Sequence, residues 1–132
     1  MRASRAFAVL ASISLAACAT TRDGDSNALT AFGGNWTVDL RPSLDDSSYS
    51  QPMVLNIDAD GNIEGSFYGS AIPSGRAGSG QNRRCIAFRT SDNSGAYQHS
   101  GCLEGEVIVG QTWSEGRNFV LPWTATRTIS GD

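Results

Sequence analysis

Between Phe32 and about Arg127, apolar residues alternate with polar ones over short runs, and Gly, Asn and Asp interrupt those runs at close, fairly regular spacing. Period-two alternation sends every second side chain to one face of a strand, so each run reads as part of a half-buried sheet and not as a helix. The chain is therefore expected to fold as a meander of β-hairpins. Strands are expected over residues 35–40, 52–58, 62–70, 84–91, 95–103, 106–113 and 118–127, with a shorter one around 71–74. No helix of useful length is foreseen. Fifteen glycines in 132 residues, with many Ser, Thr and Asn, suit short strands joined by tight turns.

Seven or eight antiparallel strands in fewer than 100 residues must bury one face. Closing the sheet on itself removes exposed edges, which favours a small up-and-down β-barrel of about eight strands over a sandwich. The length admits one core, placed at residues 32–128, with a tail at 129–132. A formal charge of −3 and a charged fraction of 17% speak against a nucleic-acid partner, which calls for a strongly basic face.

Turn chemistry predicts several registers. In Asp58-Ala59-Asp60-Gly61-Asn62, a three-residue loop with Gly61 left-handed sets Ile57 against Ile63 and Leu55 against Gly65. Glu104-Gly105 and Glu115-Gly116 suit two-residue turns that bring Ile108, Gly110 and Thr112 to the face of Phe119, Leu121 and Trp123, although Val107 and Val109 compete for it. If Asn93-Ser94 is a two-residue loop, counting outward pairs Thr90 with Tyr97, Phe88 with His99 and Cys85 with Cys102. The cysteines then share a non-hydrogen-bonded site, where Cα atoms are about 4.5 Å apart and a disulfide can form. The rival is a metal site of Cys85, His99 and Cys102, but this register turns His99 to the face opposite the cysteines. No metal or other cofactor is expected.

The N-terminus has its own logic. Residues 1–5 carry two arginines and residues 6–17 form an apolar run, the basic and apolar regions of a secretory signal. Twelve residues are too few to cross a bilayer core of about 30 Å as a helix. The run ends in Leu15-Ala16-Ala17-Cys18, which resembles the lipobox of bacterial lipoproteins. That resemblance implies lipid on Cys18, removal of residues 1–17, and anchoring to a membrane that faces the periplasm, with Ala19 pointing to the outer membrane. An ordinary secretory signal is the alternative, because Ala17-Cys18-Ala19 also fits a small-residue cleavage site. With Cys18 lipidated, Cys85 and Cys102 remain as an even pair in an oxidising compartment. Residues 18–31 then serve as the lipidated start and a polar tether, with a reach on the order of 20 Å.

Within the folded part, Gly34-Asn35-Trp36, Gly65-Ser66-Phe67-Tyr68 and the stretch from Trp123 to Arg127 resemble strand ends of the avidin and lipocalin superfamily. The resemblance implies a barrel with Trp36 packed at its closed end beneath Arg127. It transfers no ligand-contacting residue.

No catalytic constellation stands out: the chain has no G-x-S-x-G elbow, and its one histidine, His99, is expected to face inward between Phe88 and Gly110. Trp36, Phe67, Phe88, Tyr97, His99, Phe119 and Trp123 could line a ligand pocket, or equally fill so small a barrel. A cavity of at least about 300 Å³ would distinguish the two. Asp58, Asp60, Asn62 and Glu64 faintly resemble a calcium loop, but Gly61 is one place early and a hairpin turn explains them. Arg76, Arg83, Arg84 and Arg89 lie beside the Gly- and Ser-rich stretch 74–82, read as a solvated loop, the alternative being a basic patch that touches anionic lipid head groups or polysaccharide. The expected function is a non-enzymatic binding or interaction module that holds a small apolar ligand or an envelope protein. The alternatives are a structural lipoprotein working through loop 41–51 and, last, a small hydrolase or enzyme inhibitor.

Overall fold

The computed structural model describes residues 28–129. The basic start, the apolar run, Cys18 and the tether as far as residue 27 lie outside the described residues, as do residues 130–132. Among the described residues no helix is long and apolar enough to cross a membrane.

A 3₁₀ turn, Thr30–Phe32, is followed by nine strands: β1 Gly34–Asp39, β2 Ser50–Ile57, β3 Ile63–Phe67, β4 Ser70–Ala71, β5 Ser74–Gly80, β6 Arg83–Asp92, β7 Gly95–Glu104, β8 Val107–Ser114 and β9 Phe119–Arg127. Neighbours in sequence pair antiparallel except β4 and β5, which are the two edge strands, and β1 also pairs with β9, giving the order β4-β3-β2-β1-β9-β8-β7-β6-β5. The sheet curls until its two ends approach, where Asn62 bridges to Arg76 and the Ala77 N–H donates to Gly61 O at 2.7 Å. The fold is an all-β, up-and-down meander curled into an incompletely closed barrel.

Alternation decides what fills it. On β1 Trp36 and Val38 point inward and are buried, on β2 Met53 and Leu55, on β6 Ile86 and Phe88, and on β9 Trp123 and Ala125. At the closed end Trp36 opposes Arg127 across the β1–β9 ladder, and the Arg127 guanidinium lies 4.2 Å from the Trp36 ring centroid. Such a cation–π contact is worth about 0.5–2 kcal/mol. The same guanidinium donates to the Ala31 and Gly33 carbonyls, and Trp36 Nε1 donates to Phe32 O at 2.8 Å. Together they fasten the 3₁₀ turn as a plug whose Phe32 ring is fully buried. Leu29 packs on the core and Ala28 O accepts from Arg84, so packing starts ahead of Phe32, the expected boundary.

The hairpin at Gly61 (φ +85°) has the expected register, Leu55 with Gly65 and Ile57 with Ile63. The β6–β7 hairpin also follows expectation, from Asp92 with Gly95 out to Cys85 with Cys102. Those cysteines form a disulfide with Cα atoms 4.0 Å apart, on the outer face, while His99 points inward.

Three expectations need correction. Residues 74–80 are strand β5, paired along its length with β6, and no solvated loop. A side chain at Gly75 would collide with Cβ of Phe88 at 2.7 Å and meet that of Ile63 at 3.0 Å, so its glycine lets the strand close onto the barrel. The β7–β8 turn is Gly105-Glu106, closed by Glu104 and Val107, with Gly105 at φ +62°. The β8–β9 loop runs over 115–118, closed by Ser114 and Phe119, and is two residues longer than expected. Consequently His99 opposes Thr112, not Gly110, and Gly110 opposes Trp123. A Cβ on Gly110 would lie 2.5 Å from the Trp123 ring, so the missing side chain makes room for the indole.

Replacing Cys85 and Cys102 together by Ala should lower stability by about 3 kcal/mol without changing the fold, as the chain-entropy model expects for a loop of this size. Urea midpoints of the oxidised protein and the double variant check this; coincident midpoints would mean the bridge carries no stability.

Candidate functional site

The inward faces of β6, β7, β8 and β9 meet at His99. Its ring lies 4.4 Å from that of Phe67 between centroids and is stacked at 4.8 Å on Phe88, while Tyr97 runs nearly parallel at 6.2 Å. Both nitrogens are engaged, Nε2 with Thr90 Oγ1 at 2.8 Å and Nδ1 with Thr112 Oγ1 at 2.7 Å. Trp123 Nε1 donates to the same Thr112 oxygen at 2.9 Å. The indole can only donate, so Thr112 accepts from it and is free to turn its own hydroxyl proton onto Nδ1. Nε2 then carries the proton and donates it to Thr90; the other neutral tautomer, with Nδ1–H donating to Thr112 and the Thr90 hydroxyl donating to Nε2, uses the same pairs. Among the described residues no buried side-chain polar atom lacks a partner.

The surroundings decide His99 chemistry. The residue is 3% exposed, and burial pushes its pKa down to about 4. It is a neutral imidazole held by two hydroxyls, and no carboxylate among the described residues bonds to it. On the opposite face Cys85 and Cys102 are bonded to each other, so the three do not converge on a metal.

Above this cluster the barrel mouth holds a cavity of about 180 Å³. Of the seven aromatic-pocket residues, Phe67, Tyr97, His99 and Phe119 line it. Phe88 and Trp123 are packed around His99, and Trp36 is at the closed end beneath Arg127. Sequence reasoning missed the rest of the wall: Leu40, Thr90, Thr112 and Leu121, and the rim of Tyr49, Tyr68, Ser70, Asp92 and Arg117. Tyr49 and Tyr68 meet edge to face and share a hydroxyl hydrogen bond across the mouth. The volume is below the 300–1,000 Å³ range of small-molecule sites.

The larger concavity is on the outer wall, a groove of about 480 Å³ across β5 to β9. The register sets its two rows: Arg76, Ala87, Ser100 and Gln111 in one, Ser74, Arg89, Gln98, Trp113 and Val120 in the other. Trp113 is 47% exposed and Val120 60%. Of the four clustered arginines, Arg76 and Arg89 face this groove; Arg84 turns to Ala28 O. A tryptophan out of phase with the inward residues of its strand was the available signal.

The acidic turn is self-satisfied. Asp58 accepts from the backbone of Asp60 and Asn62 and from Asn62 Nδ2 at 2.8–2.9 Å, and these bonds hold its carboxyl below the usual range. The Asn62 side-chain oxygen in turn accepts from Arg76.

Comparison with protein-family models, curated proteins and solved structures finds no match.

The His99 environment has a measurable consequence. A folded pKa of about 4 lies below the unfolded value of 6.5, so the unfolded chain binds the extra proton between them. Stability is full above pH 6.5 and falls as pH drops toward 4, by roughly 2 kcal/mol between pH 7 and 5. His99 is the sole histidine, so urea titrations of the His99→Gln variant should be flat over that interval. An equally steep fall in the variant would assign the dependence elsewhere.

Proposed function

We propose that this chain is a lipid-anchored protein of the bacterial cell envelope, on the outer membrane facing the periplasm, whose barrel is a non-enzymatic binding module. It engages its partner, an envelope component, through the outer groove. The observation that carries this reading is the contrast between the two concavities. The interior is occupied by the His99 cluster and keeps only about 180 Å³, whereas the outer wall offers about 480 Å³ around an exposed tryptophan. A small apolar ligand inside the barrel is thereby disfavoured. The burial of His99 among aromatic rings, with both ring nitrogens engaged by threonine hydroxyls of the core, supports a non-enzymatic role. The anchoring rests on the sequence ending in Cys18, whose two or three acyl chains would hold the domain stably at the bilayer.

Intact-mass analysis of membrane-fractionated protein tests the anchor. The expected species begins at Cys18, carries diacylglycerol and acyl mass, and gains two hydrogen atoms on reduction. A soluble chain cleaved after Ala19 would overturn it. For the groove, a photoreactive residue at Gln111 should yield a discrete envelope adduct in living cells, whereas the same residue at exposed Asn56 on β2 should not. Equal yields from both positions would count against the groove.

A further inference from the structure

We propose that the outer groove is a binding site for an acidic saccharide chain, with Trp113 as the stacking platform and Arg76 and Arg89 as partners of its carboxylates. The proposal rests on the reading that the groove, and not the interior, is the binding surface.

The groove has four features that converge on this ligand. First, Trp113 presents half its side chain on a concave wall, where a flat indole can lie against the C–H face of a pyranose ring. Second, the polar side chains around it are planar or hydroxylic: Gln98 and Gln111, Ser100 and Ser74, Arg76 and Arg89. Amide and guanidinium groups offer paired donors and acceptors at the spacing of adjacent sugar hydroxyls. Arg89, Gln98, Ser100, Gln111 and Trp113 make no side-chain hydrogen bond among the described residues, in contrast to the saturated interior.

Third, charge is complementary. The groove is lined by two arginines and no acidic residue, in a chain of net charge −3. Arg76 is held by one bond from Nη1 to Asn62 Oδ1 at 2.6 Å, which fixes its fork while leaving other N–H groups to the groove. An arginine fork binds a carboxylate in bidentate fashion, so a uronic acid is matched better than a neutral sugar. Fourth, the shape is extended. From β5 to β9 the groove crosses four strand intervals, roughly 19 Å at about 4.8 Å each, which is the scale of a short oligosaccharide. A protein partner needs a patch of about 800 Å² on each side with an apolar centre, and here the apolar lining is confined to Trp113, Val120, Ala87 and Phe88.

The test uses the full-length chain in detergent with trigalacturonate as probe, neutral galactotriose as control, and phosphatidylglycerol vesicles as the competing anionic surface. Trp36 and Trp123 are buried, so acrylamide quenching reports chiefly on Trp113. Trigalacturonate should protect that fluorescence and bind at least 10-fold more tightly than galactotriose, and the affinity should fall as salt rises. Trp113→Ala and Arg89→Gln should each weaken binding at least 10-fold. Arg89 is exposed and makes no side-chain hydrogen bond among the described residues, so Arg89→Gln remains a valid test if the Trp113 variant does not fold. Equal binding of both sugars would overturn the acidic assignment. Binding of vesicles without trigalacturonate, or of neither, would overturn the saccharide assignment altogether. If a discrete protein adduct still forms from position 111 in cells, the groove stands as a binding surface and only its ligand class is wrong.

Discussion

The fold depends on the pairing of its first strand with its last. Until Gly34–Asp39 lies against Phe119–Arg127, the strands form two separate ribbons, β1–β4 and β5–β9, each with its apolar face wet. The ladder that unites them joins residues about 90 positions apart, Trp36 with Arg127 among them, and is laid down against the full entropy of that loop. Arg127 helps to compensate, because one guanidinium covers the Trp36 ring and ties the 3₁₀ turn beneath it. Closure defines inside and outside, and each β-strand residue takes its role from that division.

The inside is unusual in being organised around polar atoms. Thr90, His99, Thr112 and the Trp123 indole form a single chain of hydrogen bonds among aromatic rings. Partial satisfaction of such a network would be costly in a dry core, whereas full satisfaction fixes one arrangement of four strands. The exactness of that arrangement uses up the interior. Small residues serve the same end, since Gly110 accommodates the indole that Thr112 then holds. What remains for recognition is the wall, where the same strands turn their other residues toward solvent.

Much of this was legible in the sequence because turns and alternation are local. Gly61 and the Asn93-Ser94 pair each specified a register, and the second brought Cys85 to Cys102. The turns after Glu104 and Ser114 were misread, yet Ile108, Gly110 and Thr112 still shared a face with Leu121 and Trp123. Both errors moved the pairing by an even number of residues, and strand faces repeat every two. Strand β5 escaped because Ser74–Gly80 has almost no side chains with which to alternate; its strand character is imposed by the β6 backbone. The aromatic set consists mostly of inward residues, and closure sends Trp36 to one end of the barrel and Phe119 to the other. The threonine partners of His99 were invisible because they come from two different neighbouring strands. The groove was half visible: Arg76 and Arg89 stood out by charge, but the outward row of Gln98, Trp113 and Val120 exists only across three paired strands.

The disulfide carries a consequence for the order in which this molecule is made. Cys85 and Cys102 are 17 residues apart on one hairpin, and both have been synthesised before Phe119–Arg127 exists. Oxidation therefore needs no closed barrel: a nascent hairpin can be locked in register while the strand that will complete the sheet is still to come. The covalent bond then acts as a template edge, presenting a pre-aligned β7 to β8 and, through it, to the last strand. A chain built in this way meets its most non-local pairing, the union of its first and last strands, with the β6–β7 hairpin already in place.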